Sequence, residues 1–167
     1  MTGDDPLAFF ITWTVYGSHL QGDETGWRRR GKGWQEPRPR LAEWRREKLK
    51  HEMLLFSSEQ REIAELECQR HCEHRGWKLW AANARSNHVH VVVTAVGYSG
   101  QTVRDQLKAN CTRGLRERWP VFCNRQVWSV GGDWECINNE DDLATVIEYV
   151  MDAQDRKRLK QQSSGTR

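Results

Sequence analysis

Short segments rich in β-branched and aromatic residues alternate with longer helix-favouring segments along most of this 167-residue chain. The strand-like segments are residues 8–16, 77–86, 87–96 and 126–137. The helix-like segments are residues 41–75, 102–118 and 140–155. This order predicts one α+β domain over residues 1–160, in which an antiparallel sheet carries helices on one face, as in the ferredoxin-like or RRM-like split βαβ arrangement. Residues 161–167 are expected to form a flexible tail.

Local signals set the expected limits of these elements. Ser57 and Ser58 offer a capping residue for a second helix within residues 41–75. In residues 102–118 apolar residues recur at four-residue steps and predict one buried stripe: Val103, Leu107, Cys111 and Leu115. Residues 17–40 contain five glycines and two prolines and predict a long basic loop. A turn or bulge is expected at Gly131-Gly132.

Composition excludes several classes of protein. There is no run of about 18 apolar residues, which a membrane-spanning helix requires, and the N-terminus lacks the features of a signal peptide. We therefore expect a cytoplasmic, nucleoid-associated protein with no membrane partner. Five cysteines at irregular spacings favour reduced thiols over a disulfide framework. The net charge of +3 does not by itself identify a partner.

His88 and His90 are the most informative polar pair. Side chains alternate along a strand, so these two imidazoles are expected on the same face, where they can chelate one cation. The valines at 89, 91 and 93 would then face the core. The alternative is that both histidines are half-exposed strand residues without a ligand role.

Tyr149, in the last helix-like segment, is a candidate nucleophile. A tyrosine can cleave a phosphodiester when it is aligned with the phosphorus and a cation neutralises the phosphate. The alternative is a core tyrosine beside Val146, Ile147 and Val150. Tyr16 and Tyr98 are rival tyrosines, but neither lies on a helix that could also supply a metal ligand.

Basic and aromatic residues are interleaved in one part of the long loop. Indole faces beside guanidinium groups suit stacking on unpaired nucleic-acid bases. The residues concerned are Trp27, Arg28, Arg29, Arg30, Lys32 and Trp34. Arg104 and Lys108, on the polar side of residues 102–118, are expected to contribute further nucleic-acid contacts.

Two other clusters are weaker candidates for chemistry. The residues Cys68, His71, Cys72 and His74 contain zinc-binding atoms, but within one helix their spacing cannot close a tetrahedron around one ion. Asp133 and Glu135 resemble a carboxylate pair, yet without a third partner they are expected to belong to an exposed strand or turn.

Several segments together resemble a known family. Asn87-His88-Val89-His90, followed by apolar residues, resembles the His-hydrophobic-His motif of single-tyrosine HUH transposases, and Tyr149 resembles their nucleophile. Further similarity to the REP-associated tyrosine transposases extends over most of residues 8–155, through the segments ITWTVYGSHLQGDETGW, LKANCTRGLR, VWSVGGDWECI and YVMDAQ. The resemblance implies the HUH endonuclease fold and an endonuclease that cleaves and rejoins single-stranded or hairpin DNA through a covalent 5′-phosphotyrosine.

The resemblance also implies a divalent metal, magnesium or manganese, held by His88, His90 and a third ligand from the tyrosine helix. In many such proteins that ligand follows the tyrosine by four residues, which is Ala153 here, so this sequence departs from the pattern. Gln154 is the implied third ligand, with Asp152 as the alternative. In an ideal helix Gln154 lies about 140° away from the direction of the tyrosine, so the helix must end or loosen there.

Three functional interpretations follow for the chain. The first is a DNA transposase, acting as a monomer or a homodimer. The second is a non-catalytic module that binds single-stranded nucleic acid through its sheet face, its aromatic residues and its arginines. The third is another HUH nuclease, such as a replication initiator or a relaxase.

Overall fold

The computed structural model describes residues 5–18, 27–29 and 33–151, and for residues 27–29 it describes the backbone. The strands in this part of the chain are β1 (Ala8–Thr14), β2 (Trp27–Arg29), β3 (Gly33–Gln35), β4 (Lys78–Ala84), β5 (His88–Thr94) and β6 (Asp133–Ile137). The helices are α1 (Pro39–Glu47), α2 (Ser58–Arg75), α3 (Gly100–Arg118) and a fourth, α4, which covers residues 140–151. The predicted tail at 161–167 lies outside the described residues.

Four of the strands form one antiparallel sheet in the order β4-β5-β1-β6. Along the chain its elements follow the order β1, α2, β4, β5, α3, β6. This is the connectivity of the split βαβ arrangement. The predicted α+β class with a ferredoxin-like antiparallel sheet is confirmed.

The two long helices, α2 and α3, cover one face of the sheet. Val89, Val91 and Val93 of β5 point to this face and are fully buried. The predicted apolar stripe of α3 packs in the same core, and all four of its side chains are buried: Val103, Leu107, Cys111 and Leu115. The period-two and period-four patterns of the sequence therefore identify this core correctly.

Helix α4 lies against the opposite face of the sheet, an addition to the arrangement with helices on one face. It begins after Asn139, whose side-chain oxygen accepts the backbone N–H of Asp142 at 2.8 Å. Leu143 and Val150 are buried in a second cluster with Val92 of β5 and residues of three other strands. The face of β5 that carries the histidines is therefore covered in part by the helix that carries Tyr149.

Residues 17–40 differ from the prediction of a long loop. Strands β2 and β3 pair as a short antiparallel hairpin, with Arg28 opposite Trp34. Gly33 has φ +72°, a left-handed conformation that glycine adopts without a Cβ clash. Helix α1 begins at Pro39 because proline has no N–H to leave unpaired in a first turn. Gly33 and Pro39 thus mark the first residues of short elements.

Other expected boundaries are confirmed. Ser57 caps α2 in a reciprocal capping box with Gln60. Gly131 and Gly132 both have positive φ and separate β6 from an isolated bridge between Val15 and Trp128. Among the described helices, none is both long enough and apolar enough to cross a membrane.

Candidate active site

His88 and His90 lie side by side on the face of the sheet that α4 partly covers. Their ring centroids are 4.5 Å apart. In the register of β1 and β5, His90 is opposite Thr12 and His88 is opposite Thr14. The predicted common face of the two histidines is confirmed by this pairing. Two imidazoles at this separation can contribute ligands to one ion.

A neighbouring side chain orients each imidazole. His88 donates from Nδ1 to Asn87 Oδ1 at 2.6 Å, since an amide oxygen can only accept. His90 Nδ1 and Thr12 Oγ1 are hydrogen-bonded at 2.9 Å. When Nδ1 carries the proton, Nε2 carries the lone pair that binds a metal. Sequence reasoning had noted Asn87 as part of the motif but missed Thr12, which is distant in sequence and identifiable only through strand pairing.

His90 is held in its neutral form. Burial is the main cause that lowers its pKa from 6.5 to about 3, and the positive charges of His88 and Arg85 contribute to this shift. Phe10 stacks on the ring, with a centroid distance of 5.6 Å and an interplanar angle of 23°. A neutral imidazole is the form that coordinates a metal ion, so the pKa favours ligation across the physiological pH range.

Tyr149 lies beside this pair. Its ring centroid is 6.1 Å from that of His90 and 6.3 Å from that of Phe10. The side chain is 56% exposed, which excludes the alternative of a core tyrosine. Its neighbour Val150 is fully buried and anchors the helix. The helix therefore buries Val150 and leaves the side chain of Tyr149 partly exposed beside His90.

Asn83 joins the histidine row to the tyrosine helix, and sequence reasoning missed it. It lies opposite His90 in the pairing of β4 with β5. Its side chain is 2% exposed, and Nδ2 donates to the carbonyl oxygen of Val150 at 2.7 Å. Its Oδ1 is buried and has no hydrogen-bond partner among the described residues. The sequence did offer one signal for Asn83: asparagine is depleted in strands, so its presence within a predicted strand is unusual.

His88 and His90 are the two predicted metal ligands that lie among the described residues. Within residues 5–18, 27–29 and 33–151, no group of three His, Cys, Asp or Glu side chains could hold a metal ion. Gln154 and Asp152, the predicted alternatives for the third ligand, and Ala153 lie outside the described residues. Paired imidazoles fit a divalent metal that takes nitrogen and oxygen ligands.

Arg104 and Lys108 extend from α3 toward the loop before β6. Arg104 Nη1 donates to the carbonyl oxygen of Gly132 at 2.8 Å, and Lys108 Nζ donates to the carbonyl oxygens of Ser129 and Gly131 at 3.0 and 2.7 Å. Burial, together with the charge of Arg104, lowers the pKa of Lys108. These bonds hold the glycine-containing loop in place, and the expected nucleic-acid contacts of both side chains stay a prediction.

Exposed tryptophans lie in the segment between β1 and α2. Trp34 on β3 is 65% exposed and Trp44 on α1 is 50% exposed. The charged ends of Arg45 and Lys48 lie 5.3 and 5.7 Å from the Trp44 ring centroid. Trp44 was missed because α1 reads as an ordinary charged helix. The predicted side chains of Trp27, Arg28 and Arg29, with Arg30 and Lys32, lie outside the described part.

The two weaker clusters form no site in the described structure. Cys68 and Cys72 are buried between helices, and Cys68 Sγ lies 3.6 Å from Cys111 Sγ. His71 Nε2 is hydrogen-bonded to Gln106 Oε1 at 2.8 Å. Asp133 and Glu135 lie on the exposed edge strand β6, as expected.

The fold resembles that of a solved transposase structure. No family model matches the sequence, and no curated protein has significant similarity to it. A structure of a REP-associated tyrosine transposase bound to a REP hairpin is 11% identical, with a TM-score of 0.51, over 87% of this chain and 65% of that chain. A Deinococcus radiodurans protein described as a transposase is 11% identical, with a TM-score of 0.45, over 91% of this chain and 94% of that chain.

At this identity the first likeness shows the fold alone, and the chain spans less than two thirds of that neighbour's length. The predicted structural resemblance to REP-associated tyrosine transposases is confirmed at the level of the fold. What that neighbour binds and does is a separate question for this chain.

Proposed function

We propose that this chain is a metal-dependent transposase that cleaves and rejoins single-stranded DNA through a covalent 5′-phosphotyrosine at Tyr149. The observation that carries the proposal is the approach of Tyr149 to His90, 6.1 Å between ring centroids, although the two residues are far apart in sequence. A nucleophile beside a pair of oriented imidazoles is the arrangement that metal-assisted phosphodiester cleavage needs.

In the proposed reaction the Tyr149 oxygen bonds to phosphorus and the bond from phosphorus to the 3′ oxygen breaks. The phenolic proton is transferred overall to that 3′ oxygen, which leaves as a hydroxyl. His88 and His90 would hold a magnesium or manganese ion, which would neutralise phosphate charge. Thr12 and Asn87 keep the two imidazoles in orientation. The covalent bond conserves the phosphodiester energy, so a later 3′ hydroxyl can rejoin the strands without ATP.

The exposed tryptophans and basic side chains before α2 support a single-stranded or hairpin DNA substrate. Trp34 and Trp44 offer flat faces to unpaired bases, and Arg45 and Lys48 offer charge beside one of those faces. Trp27, Arg28, Arg29, Arg30 and Lys32 belong to the same proposed surface. In this proposal Arg104 and Lys108 stabilise the loop before β6, and DNA contact rests on the other residues.

The proposal is tested by trapping the covalent intermediate. The full chain is incubated with manganese and labelled single-stranded DNA from the regions flanking its coding sequence. We expect an adduct that survives SDS and disappears in Tyr149→Phe and in the double variant His88→Ala with His90→Ala. An adduct that persists in Tyr149→Phe would contradict the assignment.

Tyr98→Phe and Tyr16→Phe are the matched controls. Tyr98 packs against Trp77, and the Tyr16 hydroxyl accepts the backbone N–H of Lys50 at 2.8 Å, so both serve structural contacts. Both variants should retain the adduct. Strong binding of single strands without an adduct from any substrate would instead favour the non-catalytic binding module.

The third ligand is tested separately from cleavage. Manganese affinity, measured by isothermal titration calorimetry on the full chain, should fall in Gln154→Ala and change little in Asp152→Ala. The opposite ranking would assign the third ligand to Asp152.

A further inference from the structure

Arg85 lies on the same face of the sheet as the two histidines. Its backbone N–H donates to the carbonyl oxygen of His88 at 2.8 Å, at the turn from β4 into β5. Asn83 pairs with His90, and side chains two residues apart on a strand share a face. The positive charge of Arg85 is also one of the causes that lower the pKa of His90, which agrees with this proximity.

The guanidinium of Arg85 lacks an anion in the described part of the chain. Its Nε and Nη2 are buried and have no hydrogen-bond partner there. These two nitrogens form the edge of the guanidinium that binds two oxygens of a phosphate or carboxylate in parallel. A buried donor without an acceptor is costly, and more so when it is charged, so such groups are rare outside functional sites.

The carboxylates on the strands of this sheet face are too far away to pair with Nε and Nη2 of Arg85. Asp133 and Glu135 pair with Thr12 and Phe10, and therefore share the histidine face. They lie on β6, however, which is three strands away from β4 in the sheet order. At about 4.8 Å per strand spacing, the separation is roughly 14 Å, beyond the reach of a salt bridge.

We propose that Nε and Nη2 of Arg85 bind a phosphate group of single-stranded DNA beside His88 and His90. This inference rests on the proposed function, because it takes its ligand from the strand that Tyr149 would cut. Arg85 as a whole is partly exposed, so a strand can approach its side chain, and the groups that cover Nε and Nη2 must move aside for the phosphate to bind there. A phosphate bound at the buried edge leaves most of its water behind, which strengthens the attraction to the guanidinium.

The test begins with DNA affinity, which requires no cleavage. Single-stranded oligonucleotides from the flanking DNA are titrated without metal at several salt concentrations. Arg85→Gln should weaken binding about tenfold and reduce the slope of log affinity against log salt by about one. Arg85→Lys keeps the charge but loses the planar fork, so it should restore the salt slope and only part of the affinity.

Arg61→Gln is the matched control. Arg61 is a partly exposed arginine on α2, across the sheet, where its Nη2 donates to Ser58 Oγ at 3.1 Å. It should change neither affinity nor slope. Equal binding by Arg85→Gln and the unmodified chain, with both variants shown to fold by circular dichroism, would overturn the assignment.

A methylphosphonate scan identifies the phosphate. Each phosphate in turn is replaced by an uncharged methylphosphonate. One position should weaken binding by the unmodified chain about as much as Arg85→Gln does, and that position should have no further effect on Arg85→Gln. The absence of any such coupled position would also overturn the inference.

The two proposals fail in different ways. Coupled binding by Arg85 with no covalent adduct from any DNA would contradict the proposed cleavage and leave the phosphate contact standing. Normal adduct formation and normal affinity in Arg85→Gln would contradict the phosphate contact and leave the proposed cleavage standing.

Discussion

Replacing Asn83 by alanine tests whether the tyrosine helix is held in position by a single directional bond. Asn83 Nδ2 donates to the carbonyl oxygen of Val150, one residue after Tyr149. Among the described residues, the other contacts of α4 with the sheet are apolar packing, through Leu143 and Val150 among others, and the ring contacts of Tyr149 with His90 and Phe10. Apolar contacts are non-directional, whereas a hydrogen bond fixes distance and angle. The bond is therefore suited to fix where the tyrosine lies along the sheet.

The expected loss of stability in Asn83→Ala is modest. The lost hydrogen bond contributes about 1 kcal/mol, and leaving the Val150 carbonyl unpaired costs about 1–3 kcal/mol. The variant also removes the buried Oδ1, which lacks a partner among the described residues, and this stabilises the fold by an amount similar to the cost of the unpaired carbonyl. A small cavity adds less than about 1 kcal/mol. The net destabilisation is about 1.5–2 kcal/mol, which lowers the melting temperature by about 5 °C in a domain of this size.

The effect on cleavage should be larger. A displacement of about 1 Å at a reacting group can reduce a rate by about 100-fold, so we expect adduct formation in Asn83→Ala to slow by at least about tenfold. The assay is single-turnover formation of the SDS-stable adduct, measured well below the melting temperature. DNA affinity, measured separately without metal, should change less than twofold.

Asn110→Ala is the control for stability. Asn110 Nδ2 donates to the carbonyl oxygen of Gln106 at 2.8 Å on α3, on the opposite face of the sheet. Its loss should lower the melting temperature and leave adduct formation unchanged. If the two variants slow the reaction equally at matched stability, Asn83 acts only through stability and the reasoning is refuted.

Three further predictions concern stability. The folded pKa of His90, about 3, lies below the unfolded value of 6.5, so protonation favours the unfolded state as pH falls. In chemical denaturation without metal, about 1.4 kcal/mol should be lost by pH 5.5 relative to neutral pH, and His90→Gln should abolish that loss. Lys108→Met removes two charged hydrogen bonds to loop carbonyls and should destabilise the fold by about 1.5–3 kcal/mol, without changing the salt dependence of DNA binding. At Gly114 a Cβ would lie 2.5 Å from Glu67 Cγ, so Gly114→Ala should cost about 1–3 kcal/mol in thermal melts.

The sequence was sufficient to predict the local elements and one side of the core. The alternation in residues 87–96 placed both histidines on one face of β5, and four-residue spacing identified the buried stripe of α3. Both patterns follow from the geometry of a single strand or helix, which repeats regardless of what lies next to it. The capping signal at Ser57 is local for the same reason.

Residues 17–40 show where local reasoning was insufficient. Glycine and proline predicted a loop, but the pairing of Arg28 with Trp34 makes a short hairpin, and Pro39 begins a helix. The bonds of Arg104 and Lys108 to the loop before β6 were also beyond local reasoning, since a basic residue on the polar side of a helix gives no sign of which distant carbonyl it will meet.

The sequence by itself determined that two imidazoles share a face and that a helix carries Tyr149. The tertiary structure alone decided that α4 packs on the histidine face, that Thr12 orients His90, and that Asn83 joins the two elements. The physical reason is that periodicity shows which side of an element is apolar but not which surface will cover it. That choice depends on strand order and on burial between residues far apart in the chain, and these are properties of the whole fold.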